Sequence, residues 1–137
     1  MTDKQRLIVL WLMTVVGMIL HFNYHVSSIF YGIDVTRPNA NGEVPDTLVI
    51  IRSTFYHAPM IWVLTIMYAK KHWVKLTLFI LSLLYWLAHF MHLVEEMLKE
   101  KRNLSQLTLL GLVLLLASFL VYEHYHWKRK GQSISPE

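Results

Sequence analysis

The sequence of 137 residues contains no cysteine, which excludes disulfides, thiolate nucleophiles and zinc or iron–sulfur sites held by cysteine. Any chemistry must therefore use histidine, aspartate, glutamate, tyrosine or arginine. Charged residues are also scarce, at 16% of the chain, whereas hydrophobic residues make up 55%. A domain of this size and composition is too apolar for an ordinary soluble protein. We therefore expect lipid to surround most of the chain.

Helix-breaking residues are few as well, with five glycines and four prolines. Between them lie four apolar runs, each long enough to cross a hydrocarbon core of roughly 30 Å at about 1.5 Å per residue. The sequence therefore predicts an all-α fold, a polytopic membrane protein made of one four-helix transmembrane domain over residues 1–137. The predicted spans are residues 6–31, 47–69, 74–98 and 104–127.

The segments between the spans are rich in turn-forming residues. Residues 32–46 form the one long predicted loop, because they contain an Asn-Gly and a Val-Pro-Asp sequence. Asp46 is expected to cap the second helix. Asn103, with Gln106 three residues later, is expected to start the fourth helix as a variant of the capping box. The polar tail 128–137 is predicted to be disordered.

Basic residues cluster beside the apolar runs. The net charge of +4 is explained by this flanking pattern, and no basic face suits a nucleic acid. Eight lysines and arginines fall at one end of the predicted bundle, against five at the other, where six acidic residues accompany them. This bias predicts cytoplasmic N- and C-termini in an inner or plasma membrane. The eight residues are Lys4, Arg6, Lys70, Lys71, Lys75, Lys128, Arg129 and Lys130.

Five histidines fall in one layer of the predicted bundle. Counted along the helices from the cytoplasmic end, they lie roughly 18 to 27 Å up. Spacings of three and four residues place the histidines of each helix on one face. The layer contains His21, His25, His57, His89 and His92, with Glu96 and Arg52 near or above its upper edge.

Ionisable side chains inside a membrane are costly and usually mark a site. Imidazole is the most common ligand of zinc, copper and iron, and histidines three or four residues apart on a helix can bind one ion. The histidine layer therefore predicts a transition-metal site between facing helices, holding zinc, iron or copper. The predicted ligands are His21, His25, His57, His89, His92 and Glu96.

Several residues of this layer have more than one interpretation. In an enzyme, Glu96 or Glu95 would act as general base, and Arg52 would bind the headgroup of a lipid-borne substrate. Arg52 is equally expected to form an ion pair with Glu95 or Glu96 across the bundle. His57, beside the helix-bending Pro59, can also be a hydrogen-bonded interior residue without a ligand role.

Other polar and aromatic residues are assigned to the membrane interface. His72, His124 and His126 lie among lysines near the cytoplasmic end, where solvated side chains are expected. The five tryptophans are expected to face lipid or to anchor the interface, particularly Trp73 and Trp127 at span ends.

Three classes of function remain open. The first is an integral membrane metal-binding protein, with lipid as its partner and a metal-dependent reaction on a lipid-borne substrate as the catalytic version. The second is an electron-transfer protein that binds quinone or haem b, with one histidine from the first helix and one from the third as axial ligands. The third is a non-catalytic subunit or assembly factor within an oligomer or larger membrane complex. Whether the protein is an enzyme is left undecided.

Overall fold

The computed structural model describes residues 1–36, 40–99 and 103–130, and no strand occurs in these ranges. Four helical segments are long and apolar enough to cross a membrane, which confirms the predicted all-α four-helix bundle. The prediction of a disordered tail over 128–137 is wrong for residues 128–130, which continue the last helix, and its residues 131–137 lie outside the described ranges. The helices are α1 (Asp3–Ser27), α2 (Asp46–Arg52), α3 (Ala58–Tyr68), α4 (His72–Lys99) and α5 (Leu104–Lys130).

The first span, formed by α1 and a 3₁₀ turn (Ser28–Tyr31), begins with a full capping box that the sequence analysis missed. The Thr2 hydroxyl accepts a hydrogen bond from the Gln5 amide at 3.3 Å, and Gln5 Oε1 accepts one from the Thr2 amide at 2.8 Å. Because this box satisfies free backbone N–H groups, the helix begins at Asp3. The span ends at Gly32, whose φ of 74° favours glycine.

The second span consists of α2 and α3, joined by a π-helical turn (Ser53–His57). The expected capping of α2 by Asp46 is wrong, because Pro45 occupies the N-cap position and no side chain caps the helix. Further along, Pro59 has no N–H to donate to the carbonyl of Phe55, four residues earlier. The Tyr85 hydroxyl donates to that carbonyl instead, at 3.1 Å.

The fourth span, α5, begins as predicted at a cap formed by Asn103. Its side chain accepts a hydrogen bond from the Gln106 amide at 3.2 Å. The Gln106 side chain does not return to the cap but turns into the bundle, where it contacts His21. The predicted capping box is therefore only half formed, because a buried polar contact takes its second member.

The helices pack around α1, which contacts α3 on one side and α5 on the other, while α4 packs along α5. Within the described ranges, no comparable backbone packing joins the second span to α4. Side chains join these two segments instead, as in the hydrogen bond of Tyr85 to Phe55, and the segments separate only towards the end of the bundle that carries residues 33–36. Large apolar side chains outside the core, such as Phe22, Leu84 and Phe119, are exposed, as lipid-facing residues are.

The two ends of the bundle differ in character. The end that carries residues 33–36 and 40–45 is called the loop end, and the opposite end, where α1 begins and α5 ends, is called the turn end. At the turn end Arg6 donates to Glu123 at 3.1 Å, and Lys130 donates to Asp3 at 2.9 Å. These ion pairs connect the beginning of α1 with the end of α5 and fix the two terminal helices against each other.

Candidate functional site

A cleft of about 1290 Å³ opens at the loop end, between the first span, the second span and α4. It lies where the second span and α4 separate, beyond the contact of Tyr85 with Phe55. Seven of the eight predicted site residues line this cleft. They are His21, His25, Arg52, His57, His92, Glu95 and Glu96.

His21 and His92 are in direct contact, with their Nε2 atoms 3.0 Å apart. His21 lies on the buried stripe of α1 that also contains Thr14 and Gly17. On the other side of its ring, the side-chain nitrogen of Gln106 is 2.7 Å from Nδ1. Gln106 Oε1 is buried without a hydrogen-bond partner. Three helices, α1, α4 and α5, thus meet in one polar contact inside the bundle.

His25 and Glu96 lie beside this pair. The rings of His25 and His21, one turn apart on α1, have centroids 4.8 Å apart. Glu96 follows His92 by one turn of α4, and its Oε2 is buried with no hydrogen-bond partner. Over residues 1–36, 40–99 and 103–130, no three histidine, aspartate or glutamate side chains are grouped closely enough to hold a metal. The structure thus brings two predicted ligands into contact and places two others one helical turn away.

His89 is the one predicted ligand that does not line the cleft. It lies three residues before His92 and is only 2% exposed. Its ring packs against Tyr85, with centroids 4.5 Å apart, and against Phe55 at 5.3 Å. Both ring nitrogens are buried without a hydrogen-bond partner, a rare state for a polar group in a membrane interior.

Arg52 and His57 lie on the second-span wall of the cleft, and both are exposed. In the described part of the chain, no ion pair within 4.0 Å joins Arg52 to Glu95 or Glu96. The expected ion pair is therefore absent, because the cleft separates the second span from α4. The interpretation of His57 as an interior residue is also wrong, since its side chain is exposed.

The loop adds an acidic group to the lining. Asp34 lines the cleft at the loop end and accepts a hydrogen bond from the Thr36 amide at 2.8 Å. Hydrogen bonds from the Thr36 hydroxyl and amide hold the pKa of Asp34 below its usual value. This carboxylate therefore stays charged at neutral pH, which favours cations at the mouth of the cleft.

A second buried histidine lies at the turn end. His124 is fully buried, and its Nε2 accepts a hydrogen bond from Trp11 Nε1 at 3.1 Å. The expectation that this histidine is solvated is wrong, because Trp11 covers it. The lipid-facing placement expected of the tryptophans is wrong for Trp11 and Trp127, since both are buried in the bundle.

Comparison with protein-family models, curated proteins and solved structures gives no match to this chain. Functional inference therefore rests on the cleft and on the polar contacts around it.

Gln106 is the residue of this site that the sequence analysis placed elsewhere. Its position three residues after Asn103 favours a capping role, and this pattern gives no sign of its contact with His21. One signal was available, since Gln106, Leu110, Val113 and Ala117 follow one another at intervals of three and four residues. A glutamine in register with an apolar stripe faces the interior of a membrane helix bundle.

Proposed function

We propose that the protein binds a transition-metal ion within the membrane, with His21 and His92 as its central ligands. The observation that carries this proposal is the 3.0 Å distance between their Nε2 atoms. Two imidazole nitrogens on one tetrahedral ion, each about 2.0 to 2.1 Å from it, lie about 3.3 Å apart. Ring shifts of a few tenths of an ångström would therefore let an ion replace the direct contact.

Gln106 supports this assignment as a group that orients the ligand. A histidine that binds metal through Nε2 commonly donates its Nδ1–H to an oxygen, which fixes the tautomer. The oxygen and nitrogen of a glutamine side chain are assigned from their hydrogen bonds. With its amide rotated by half a turn, Gln106 presents its partnerless Oε1 to His21 Nδ1. That arrangement frees His21 Nε2 to bind the ion.

The remaining ligands would come from the residues next to this pair. His25 and Glu96 each lie one helical turn from a central ligand, and side-chain rotation would bring their donor atoms towards the ion. His89, whose two ring nitrogens have no partner, is a further nitrogen donor behind His92. His57 faces the site from the second span. Zinc, iron or copper suits this set of imidazoles and one carboxylate.

The cleft suggests how such an ion would be used. An ion with one ligand position open to the cleft would activate water, with Glu96 or Glu95 accepting the proton. A lipid-borne substrate would enter the cleft between the second span and α4. The eight basic residues towards the turn end favour a cytoplasmic position for that end. The metal site would then lie in the outer half of an inner or plasma membrane.

Haem b fits this pair of histidines less well than a single ion. Two axial imidazoles lie on opposite faces of the macrocycle, with nitrogens on the order of 4 Å apart. His21 and His92 would have to separate, and a porphyrin would have to enter between α1 and α4. A bare ion requires neither movement.

The test is metal analysis of detergent-purified protein by mass spectrometry, combined with a visible spectrum. Protein from cells supplied with zinc, iron and copper should carry a stoichiometric metal and show no Soret band. Replacement of His21 or His92 by alanine should lower metal affinity at least about tenfold, since loss of a ligand exceeds the effect of losing an outer-shell partner. Losses in the double variant should not add, because both ligands serve one binding equilibrium.

His72→Ala and His126→Ala are the matched controls, because both histidines lie towards the turn end and should leave metal content unchanged. A Soret band in wild-type protein would replace the metal proposal with the haem alternative. Absence of both metal and haem under all these conditions would leave His21–His92 as a structural hydrogen bond, and the protein would then be a non-catalytic subunit.

A further inference from the structure

Arg52 carries a charge that no other described side chain neutralises. It is exposed on the wall of the cleft and forms no ion pair with any described carboxylate. An unpaired guanidinium at membrane depth is unfavourable, so intramembrane arginines normally pair with an anion or reach the headgroup region.

The depth of Arg52 fits a headgroup. The second span runs from Asp46 to Tyr68 over 23 residues, a length of roughly 34 Å against a hydrocarbon core of roughly 30 Å. Arg52 lies six residues after Asp46, which is about 9 Å along the helix axis. Its backbone is then several ångströms inside the hydrocarbon edge, and its long side chain can extend back to the level of lipid phosphates.

Below Arg52 the cleft has an apolar wall. The cleft separates the second span from α4 at the loop end, beyond the contact of Tyr85 with Phe55, and a chain entering from the bilayer would reach this wall between the two segments. An acyl chain can lie along this wall, where apolar side chains would contact it as they contact lipid on the outer faces of the helices. The apolar lining includes Met18, Ile19, Phe22, Ile51, Phe55 and Met91.

We propose that the cleft binds an anionic membrane amphiphile, with a carboxylate or phosphate headgroup on Arg52 and its chain along the apolar wall. Arginine forms bidentate hydrogen bonds with both groups. The acidic residues of the lining oppose an anion on the α4 side, where Glu95 and Glu96 lie, and at the mouth, where Asp34 lies. Arg52 lies on the opposite wall, so the charge pattern directs the headgroup to the second span. This inference goes beyond metal binding and does not require an ion.

The test is native mass spectrometry of delipidated protein titrated with phosphatidylglycerol or with phosphatidylcholine. Wild type should bind phosphatidylglycerol more tightly. Arg52→Gln should lower that affinity about tenfold, the effect of one hydrogen-bonded charge pair. Arg129→Gln is the matched control, because Arg129 is also exposed but lies at the turn end. Equal binding of the two lipids by wild type, or an equal loss in both arginine variants, would overturn the proposal.

A second pair of variants tests the chain-binding wall without changing any charge. Met91 and Met97 are both exposed methionines of α4, 59% and 52% respectively, but only Met91 lines the cleft. Met91→Trp should block phosphatidylglycerol binding because the larger side chain fills the space beside the apolar wall, whereas Met97→Trp should leave phosphatidylglycerol binding unchanged. If both variants bind as wild type does, the chain lies elsewhere and the proposal is wrong.

Two further measurements identify the source of the anion and separate this proposal from metal binding. Inorganic phosphate should fail to displace phosphatidylglycerol, because it lacks the chain; displacement at low phosphate concentrations would indicate a site for soluble anions and refute the amphiphile. Arg52→Gln should retain metal, and His92→Ala should retain lipid. Lipid binding that depends on Arg52 in metal-free protein would support this proposal even if metal binding failed.

Discussion

The hydrogen bond from the Tyr85 hydroxyl to the Phe55 carbonyl should stabilise the bundle, and we expect the size of this stabilisation to depend on Pro59. Pro59 has no N–H to donate to the carbonyls of the turn before it, and the Tyr85 hydroxyl donates to the Phe55 carbonyl at 3.1 Å. Tyr85 is 3% exposed, so water cannot take over the bond. Tyr85→Phe keeps the ring and its packing but removes the hydroxyl that donates to this carbonyl.

The expected loss is about 1 kcal/mol in the free energy of unfolding, within roughly 0.5 to 2 kcal/mol. Removal of one partner of a buried hydrogen bond gives about 1 to 3 kcal/mol in soluble proteins. Double-mutant cycles inside a membrane protein average about 0.6 kcal/mol and reach about 1.7 kcal/mol. Tyr68→Phe is the control, because Tyr68 is 76% exposed and should change stability by less than about 0.5 kcal/mol.

A double-mutant cycle with Pro59→Ala isolates the mechanism. Alanine at position 59 restores an N–H that can serve the Phe55 carbonyl, so Tyr85→Phe should lose most of its effect in that background. The assay is reversible unfolding of purified protein in mixed micelles with increasing denaturing detergent, followed by circular dichroism. An unchanged cost of Tyr85→Phe in the Pro59→Ala background would show that the proline does not create the need for this bond.

Three other measurements test separate parts of the structure. Gly17→Ala should lower the free energy of unfolding by about 1 to 3 kcal/mol, because its new Cβ would lie 2.6 Å from a methyl group of the stiff side chain of Val113. Val113→Ala should relieve this clash in the double variant, and additive losses of stability in an unfolding assay would contradict the contact. Gln106→Leu should weaken metal affinity roughly 10- to 100-fold in a chelator competition while occupancy at saturating metal persists, and unchanged affinity would remove Gln106 from the site. Reporters fused after residue 137 and inserted near residue 41 should read cytoplasmic and extracytoplasmic respectively, and the reverse result would invert the proposed topology.

The spans and the grouping of the site residues could be predicted because both follow from regular helix geometry. Hydrophobic length defines the spans, and a rise of 1.5 Å per residue places His21, His25 and His92 at one level. The second span escaped this reasoning because its π-helical turn adds a residue to one turn. His57, which the sequence predicts in the interior layer, is exposed in the structure.

Contacts between residues on different helices could not be predicted, because the spacing of residues along one helix does not show which other helix those residues face. The missing ion pair of Arg52 depends on the cleft, which separates the second span from α4 at the loop end. The burial of His124 depends on Trp11, which lies 113 residues away and donates to its ring. Lysine neighbours in sequence suggested a solvated ring, whereas packing of α1 against α5 decided the outcome.

The metal and lipid proposals place their ligands on opposite walls of one cleft, and this arrangement has a thermodynamic consequence. A divalent ion at His21 and His92 would add positive charge facing Arg52, which should strengthen binding of an anionic headgroup between the walls. Linkage requires that the headgroup then strengthen metal binding by the same factor. We therefore expect zinc to raise phosphatidylglycerol affinity, and phosphatidylglycerol to raise zinc affinity, by equal factors in wild type. Both factors should fall to one in Arg52→Gln and in His92→Ala. Two binding events with no mutual effect would mean that the headgroup lies too far from the ion to be its substrate.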